Sequence, residues 1–188
     1  RGYASVVKEK SPLVLSVMAG VNIPTLATSF GLDVPIVRAM PNTASQVKAG
    51  ATGLYANEHV SSQQKDQVEE IFRNLGVVAW VDKEIDMNAV IAIAASSPAY
   101  FLYLTECMQK VGIEMGLDEK TASLLSLQSA YGAAKMGLQS PDSAAELRAK
   151  ITSKGGTTNA AISEFQACEF SDTVKRAMEA AFNRGVEM

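Results

Sequence analysis

Histidine occurs once and cysteine twice in 188 residues, and the 17 lysines and arginines nowhere gather into a cluster. Each scarcity removes a class of function. His59 stands in a polar turn, Asn57-Glu58-His59, where it reads as a solvated side chain and a poor general base. No Ser/His/Asp set, metal-ligand spacing or pair of catalytic carboxylates can be assembled, which disfavours hydrolysis and metal catalysis and leaves binding, or chemistry carried by a cofactor. Cys107 and Cys168 lie far apart in apolar helical patterns, as in proteins of the reducing cytoplasm, and are expected to be buried small hydrophobes. With a net charge of -3 and no basic stripe, nucleic acid is not an expected partner. A membrane is not expected either. The longest weakly polar run, residues 89–104, falls short of the ~18 apolar residues of a span and contains Ser96, Ser97 and Pro98. Residues 1–11 carry neither a secretory nor a transit pattern, so the chain is expected to begin inside a fold.

What is present is an ordinary globular composition, 47% apolar and 20% charged, enough to bury a core of one domain or two small ones. The first half alternates strands and helices. Residues 13–18, 36–40, 52–56 and 77–81 are short, β-rich and bounded by turn residues. Asn22 caps a helix with Pro24 near its start and Gly31 just past its end. In the next helix Ser61 and Gln64 have capping-box spacing, Val68, Ile71, Phe72 and Leu75 form one face, and Gly76 supplies a left-handed stop. After residue 81 the strand signal ends. Helices are expected over residues 85–115 with a bend near Pro98, 119–138 after Asp118, 141–150 after Ser140, 158–167, and 172–187 after Ser171. The predicted class is therefore α/β over residues 1–83 followed by an all-α domain over 84–188. Its long helices rich in Ala, Leu and Met need a second subunit to cover them, so a dimer or larger assembly is expected.

Three segments could carry chemistry. Residues 13–18 run into Ala19-Gly20 at the carboxyl end of a strand, where ligands sit in open α/β sheets; the same residues also suit a tight strand-to-helix turn. Arg38-Ala39-Met40-Pro41-Asn42-Thr43 is similarly placed, either open to a ligand or a turn in which Asn42 bonds its own backbone. The third is Gly155-Gly156-Thr157-Thr158, two glycines and two hydroxyls at a helix start, which aim backbone N–H groups at one point. The same residues also suit an ordinary capped loop between helices, although one glycine and one cap would suffice for that; a carboxylate is the other occupant they fit. Glu84 reads, from sequence alone, as a first-turn acid favourable to the helix dipole.

Taken together, Ser16-Val17-Met18-Ala19-Gly20-Val21, residues 38–43, Ser97-Pro98-Ala99-Tyr100, Gly132-Ala133-Ala134-Lys135-Met136 and residues 152–158 are similar, in order and spacing, to pyrroline-5-carboxylate reductases along nearly the whole chain. The resemblance implies an incomplete Rossmann-type NAD(P)-binding domain, a helical domain that pairs subunits, and reduction of 1-pyrroline-5-carboxylate to L-proline by NADPH or NADH. Carried over by position, it implies that Val17, Met18 and Ala19 line the cofactor, with Met40, Pro41, Asn42 and Thr43 near the nicotinamide. Gly155, Gly156, Thr157 and Thr158 would hold the substrate carboxylate and ring nitrogen, Thr158 as the hydrogen-bond donor that steadies the imine, and Glu84 would be a substrate contact.

The chain departs from the family pattern in three places. The Gly-rich cofactor turn that opens the family is absent, so the chain is expected to be incomplete at its N-terminus and the 188 residues alone to be inactive. The family's Ser-Gly before Ser-x-Pro-Ala-Tyr is Ala94-Ala95 here, which bears on site geometry. Ala44 and Lys154 stand where prolines are usual, which loosens two turns. A reductase-like binding or regulatory module is the alternative. A two-domain 3-hydroxy-acid dehydrogenase would need a catalytic Lys on the first helix of the second domain, and residues 85–109 contain none.

Overall fold

The computed structural model describes residues 12–30 and 33–188, so the expectations for residues 1–11 and for Gly31 lie outside the described residues. The chain forms two compact units, one holding the residues up to Pro98 with Ala177–Met188, the other Ala99–Arg176.

In the first unit four strands, β1 (Val14–Ser16), β2 (Ile36–Met40), β3 (Gly50–Ala56) and β4 (Gly76–Trp80), lie side by side in chain order. β1 is parallel to β2 and β3 to β4, but β2 and β3 are antiparallel, so the sheet is mixed. The short connection through a 3₁₀ turn at Thr43–Val47 allows that reversal, since a parallel crossover needs a dozen residues or more. β2 is buried at all five positions. Its Ile36 packs with Ile23, Leu26 and Ala27 of α1 (Ile23–Phe30), its Val37 and Ala39 with Val68 and Phe72 of α2 (Ser62–Arg73), and its Met40 with Met87 and Val90 of α3 (Met87–Val90). Both faces are thus covered, as a central strand that is apolar at every position but Arg38 requires.

The caps of this unit follow the sequence closely. Asn22 Oδ1 accepts from Thr25 N at 3.0 Å, and Ser61 and Gln64 form a complete capping box. Two details differ from expectation. Ile71 is 53% exposed, because α2 lies on the sheet along a stripe that only Val68 and Phe72 reach fully. Gly76 does not stop α2 in the left-handed region; Asn74 ends the helix, and Gly76 opens β4 at φ 149°, where an added Cβ would lie 1.9 Å from the Gly50 carbonyl oxygen. Asn57, read as part of a polar turn, is buried: it accepts from Ile36 N and donates to Val34 O, each at 3.0 Å, closing the end of the β2–β3 pair.

From Glu84 the chain is helical. A 3₁₀ turn, Glu84–Asp86, leads through α3 into a π turn, Ile91–Ala95, and then α4 (Ser97–Glu114). The expected bend falls just before Pro98, and its chemistry is explicit. Proline has no N–H for the carbonyl four residues back, Ala94 O, while Ser96 N reaches Ile91 O at 2.9 Å in the wider π pattern.

α4 is followed by α5 (Glu119–Gln139), α6 (Ala144–Lys150), α7 (Thr157–Ala167) and α8 (Phe170–Glu187), and Ala99–Arg176 of this helical stretch make up the second unit. Asp118 caps α5 through Thr121 N. The helix expected from residue 141 starts at Ala144 instead: Ser143 and Glu146 form a capping box there, while Ser140 is used in a turn with Asp142. Few side chains of this unit are buried; Phe101, Leu102, Tyr103, Leu124 and Leu125 are each more than half exposed in the single chain. Cys107 is half-buried, but Cys168, against expectation, is exposed at the end of α7, its thiol pushed up by a hydrogen bond to the Glu164 carboxylate. The helical stretch Glu84–Glu114 is longer than the apolar run expected from sequence: it is long and apolar enough to cross a bilayer by length and composition, and little of it is buried in the single chain.

Candidate functional site

The loops after β1 and β2 leave the sheet at the same edge, because those strands are parallel and adjacent, with Ser16 opposite Arg38. That edge carries Val17, Met18 and Ala19 from one strand and Pro41, Asn42 and Thr43 from the other. Val17 and Met18 are 59% and 48% exposed, apolar side chains presented at the carboxyl ends of parallel strands, where a planar apolar ring would find cover. Ala19 and Pro41 are half-buried, Thr43 is exposed, and Met40 is a core residue packed on Met87.

Asn42 does not cap its own turn. Its Nδ2 donates to Ala94 O at 3.0 Å and its Oδ1 accepts from Ala51 N at 3.3 Å, so both ends of the amide are used within the protein. Ala94 and Ala95 pack against the cluster of Met40, Met87 and Val90. Their methyl groups meet core side chains.

Glu84 sits beside this edge. Its Oε1 accepts from Arg38 Nη1 at 2.9 Å and from Ile23 N at 2.6 Å, placing a carboxylate on the N-terminus of α1, 61 residues away in sequence. Arg38, with a side chain 7% exposed, donates from Nη2 to Ala19 O at 2.8 Å, and its Nε is buried without a partner. A cleft of about 470 Å³ opens here, lined by Ala19, Gly20, Asn22, Arg38, Glu84 and Asn88 among others. Sequence reading singled out Glu84 and the residues after Arg38 but missed Arg38 itself; a charged residue inside an otherwise apolar strand was the available signal.

In the second unit, residues 155–158 form the start of α7. Gly155 has φ 76°, the left-handed region, with open space around it, whereas a Cβ on Gly156 would lie 2.7 Å from Ser153 Oγ. Each glycine thus answers a different requirement. Gly156 is the N-cap and no side chain accepts from the first turn, so the leading amides of an 11-residue helix are left without a protein side-chain acceptor, beside the exposed Thr157 and Thr158. Among the described residues no group of three or more His, Cys, Asp or Glu could hold a metal ion.

A Rossmann-type α/β unit leading into a helical dimerisation region is the class these features define. Residues 84–188 match the family model described as pyrroline-5-carboxylate reductase dimerisation. A pyrroline-5-carboxylate reductase of Pseudomonas aeruginosa is 43% identical over 176 residues, which are 94% of this chain and 64% of that protein. The solved structure of a pyrroline-5-carboxylate reductase from Coxiella burnetii superposes with a TM-score of 0.95 at 40% identity, covering 99% of this chain and 69% of the other. That of the Plasmodium falciparum pyrroline carboxylate reductase with NADP bound gives 0.88 at 30%, covering 99% and 74%. The chain belongs to the pyrroline-5-carboxylate reductase family and spans somewhat less than two thirds of the Pseudomonas relative's length.

Proposed function

We propose that the protein from which this chain comes reduces 1-pyrroline-5-carboxylate to L-proline with NADPH or NADH, the last step of proline biosynthesis, as a cytoplasmic homodimer or dimer-based assembly. The observation that carries the acid-binding half of this reading is the unfilled N-cap of α7: a helix start with no side-chain acceptor, two glycines and two exposed threonines suits a carboxylate. In this reading Gly155 and Gly156 admit the acid to the amides, Thr157 and Thr158 donate to its carboxylate and ring nitrogen, and Thr158 steadies the imine while a proton reaches that nitrogen. When bound, the nicotinamide supplies the hydride for the imine carbon.

Residues 1–83 serve in this proposal as part of the cofactor domain and 84–188 as the dimerisation and substrate-binding domain. The exposed pair Val17 and Met18, the backbone at Ala19, and the loop at Met40, Pro41, Asn42 and Thr43 fit one side of a nicotinamide at the sheet's carboxyl edge. Asn42 contributes by shaping that loop, since its side chain is already bonded. Glu84 meets the substrate through its remaining oxygen, both of its described bonds falling on Oε1. The apolar faces of α4 and α5 are covered by a second copy, which accounts for their exposure in the single chain.

The 188 residues alone are expected to show no turnover, because no Gly-rich turn is present to receive the pyrophosphate. The test is a two-way assay on the full-length protein: NAD(P)H oxidation with pyrroline-5-carboxylate, and NAD(P)+ reduction with proline or thioproline. Absence of both, with the protein folded and dimeric, would overturn the reading; NAD(P)H oxidation by the 188-residue chain would overturn the statement about the fragment.

A further inference from the structure

Among the described residues of the first unit, Arg38 is the most deeply buried charge that the proposed reaction does not use. It lies on the central strand, 6% exposed, and its guanidinium reaches two segments given separate tasks above: Nη2 holds Ala19 O in the loop after β1, and Nη1 holds Glu84. Through Glu84 it is tied further to Ile23 N, the first turn of α1. One planar group therefore sets the distance between the cofactor-side loop and the carboxylate opposite.

Stability does not account for this placement. Burying the guanidinium costs desolvation that a pair with a carboxylate still 21% exposed offsets only in part, and here Nε is buried with no acceptor, which adds to that cost. A fork with fixed geometry does have a use where two backbone segments must be held in register, because its two terminal nitrogens donate in one plane. The residues it holds, Ala19 and Glu84, both line the cleft described above.

We infer that Arg38 is a positioning residue: its fork fixes the Ala19 carbonyl and the Glu84 carboxylate relative to each other, and so couples the cofactor loop to the substrate side of the site. This rests on the reductase reading for the two ligands. Removing the fork leaves hydride chemistry intact but misplaces both partners, so binding suffers more than turnover.

The experiment uses the full-length enzyme with Arg38→Met, Arg38→Lys and Glu84→Gln. KM for NAD(P)H and for pyrroline-5-carboxylate, kcat, the melting temperature, and direct NAD(P)H binding by fluorescence are measured on each. Arg38→Met is expected to raise both KM values about tenfold or more, with kcat changed less than about threefold. Arg38→Lys is expected to recover part of the loss, since it keeps the charge without the fork. Glu84→Gln, which retains an acceptor for Arg38 and Ile23, should raise KM for the substrate more than for the cofactor. If Arg38→Met does not fold, the comparison of Arg38→Lys with wild type carries the same reading. A lowered melting temperature with both KM values and the fluorescence titration unchanged in a folded Arg38 variant would overturn the inference and leave a purely structural ion pair. Wild-type protein with neither turnover nor NAD(P)H binding would instead overturn the reductase reading itself.

Discussion

The side-chain amide of Asn42 donates to the carbonyl of Ala94 at 3.0 Å, the one carbonyl in that helix that Pro98 leaves without an amide. Ser97 Oγ supplies a second, longer bond to it at 3.3 Å. The loop after β2 is thereby fastened to the π turn at the point where the helix is open, and the irregularity in one element becomes the anchor of another.

Replacing Asn42 by Ala should therefore cost stability before it alters ligand contacts. Two hydrogen bonds are lost and two backbone groups are left dependent on water, at about 1–3 kcal/mol. Chemical denaturation of the full-length protein measures this. A double variant with Ser97→Ala should lose more than the sum of the singles, because only together do they strip Ala94 O of both donors.

Thr158→Ala in the full-length enzyme should raise KM for pyrroline-5-carboxylate by about three- to tenfold, the net worth of one hydrogen bond to the uncharged imine nitrogen, and leave NAD(P)H binding within about twofold. Unchanged kinetics would remove Thr158 from the site. Gly155→Ala offers a structural comparison: at φ 76° with open space around it, the methyl group costs about 1–2 kcal/mol of backbone strain without a clash.

Gly76→Ala should be far more damaging than Gly155→Ala. A Cβ at Gly76 would sit 1.9 Å from Gly50 O at φ 149°, so strain and overlap combine, at about 3 kcal/mol or more. Loss of soluble protein, or a melting temperature lowered by many degrees, is the expected readout.

Acid should weaken the helical unit through its caps. Asp118 is held below the usual carboxylate range by its hydrogen bonds to Thr121, and Glu146 by its bonds to Ser143. A carboxyl group with a lowered folded pKa contributes stability that is fully present above its unfolded value, near 4, and is lost as pH falls through the folded one. Stability should thus be flat from neutral pH down to about 4 as far as these two groups decide it, and decline below. Asp118→Asn and Glu146→Gln should flatten that decline in pH-dependent denaturation curves.

Local chemistry was legible wherever one short stretch decides the outcome. Asn22, Ser61 with Gln64, and Asp118 cap the helices they were expected to cap, because a cap needs only a side-chain oxygen and an amide two or three residues away. The start at Ser143 was missed because Ser140-Pro141 offered a competing signal, and only the completed box with Glu146 separates them. Ile71 and Cys168 have the periodicity of buried residues and are exposed, since a helix pattern gives the direction of a face and not the width of what covers it.

By itself the sequence determined the α/β-then-helical order, the caps, the break at Pro98 and the two-glycine helix start, all set by contacts a few residues long. The tertiary structure alone decided that the sheet is mixed, that Asn42 is bonded to Ala94 and not to its own turn, and that Glu84 lies against Arg38 and Ile23. Those pairings span 46 to 61 residues of chain, and no local propensity encodes them. They arise because packing the sheet brings a buried guanidinium, an orphaned carbonyl and an open helix end close to donors and acceptors that would otherwise be left unpaired.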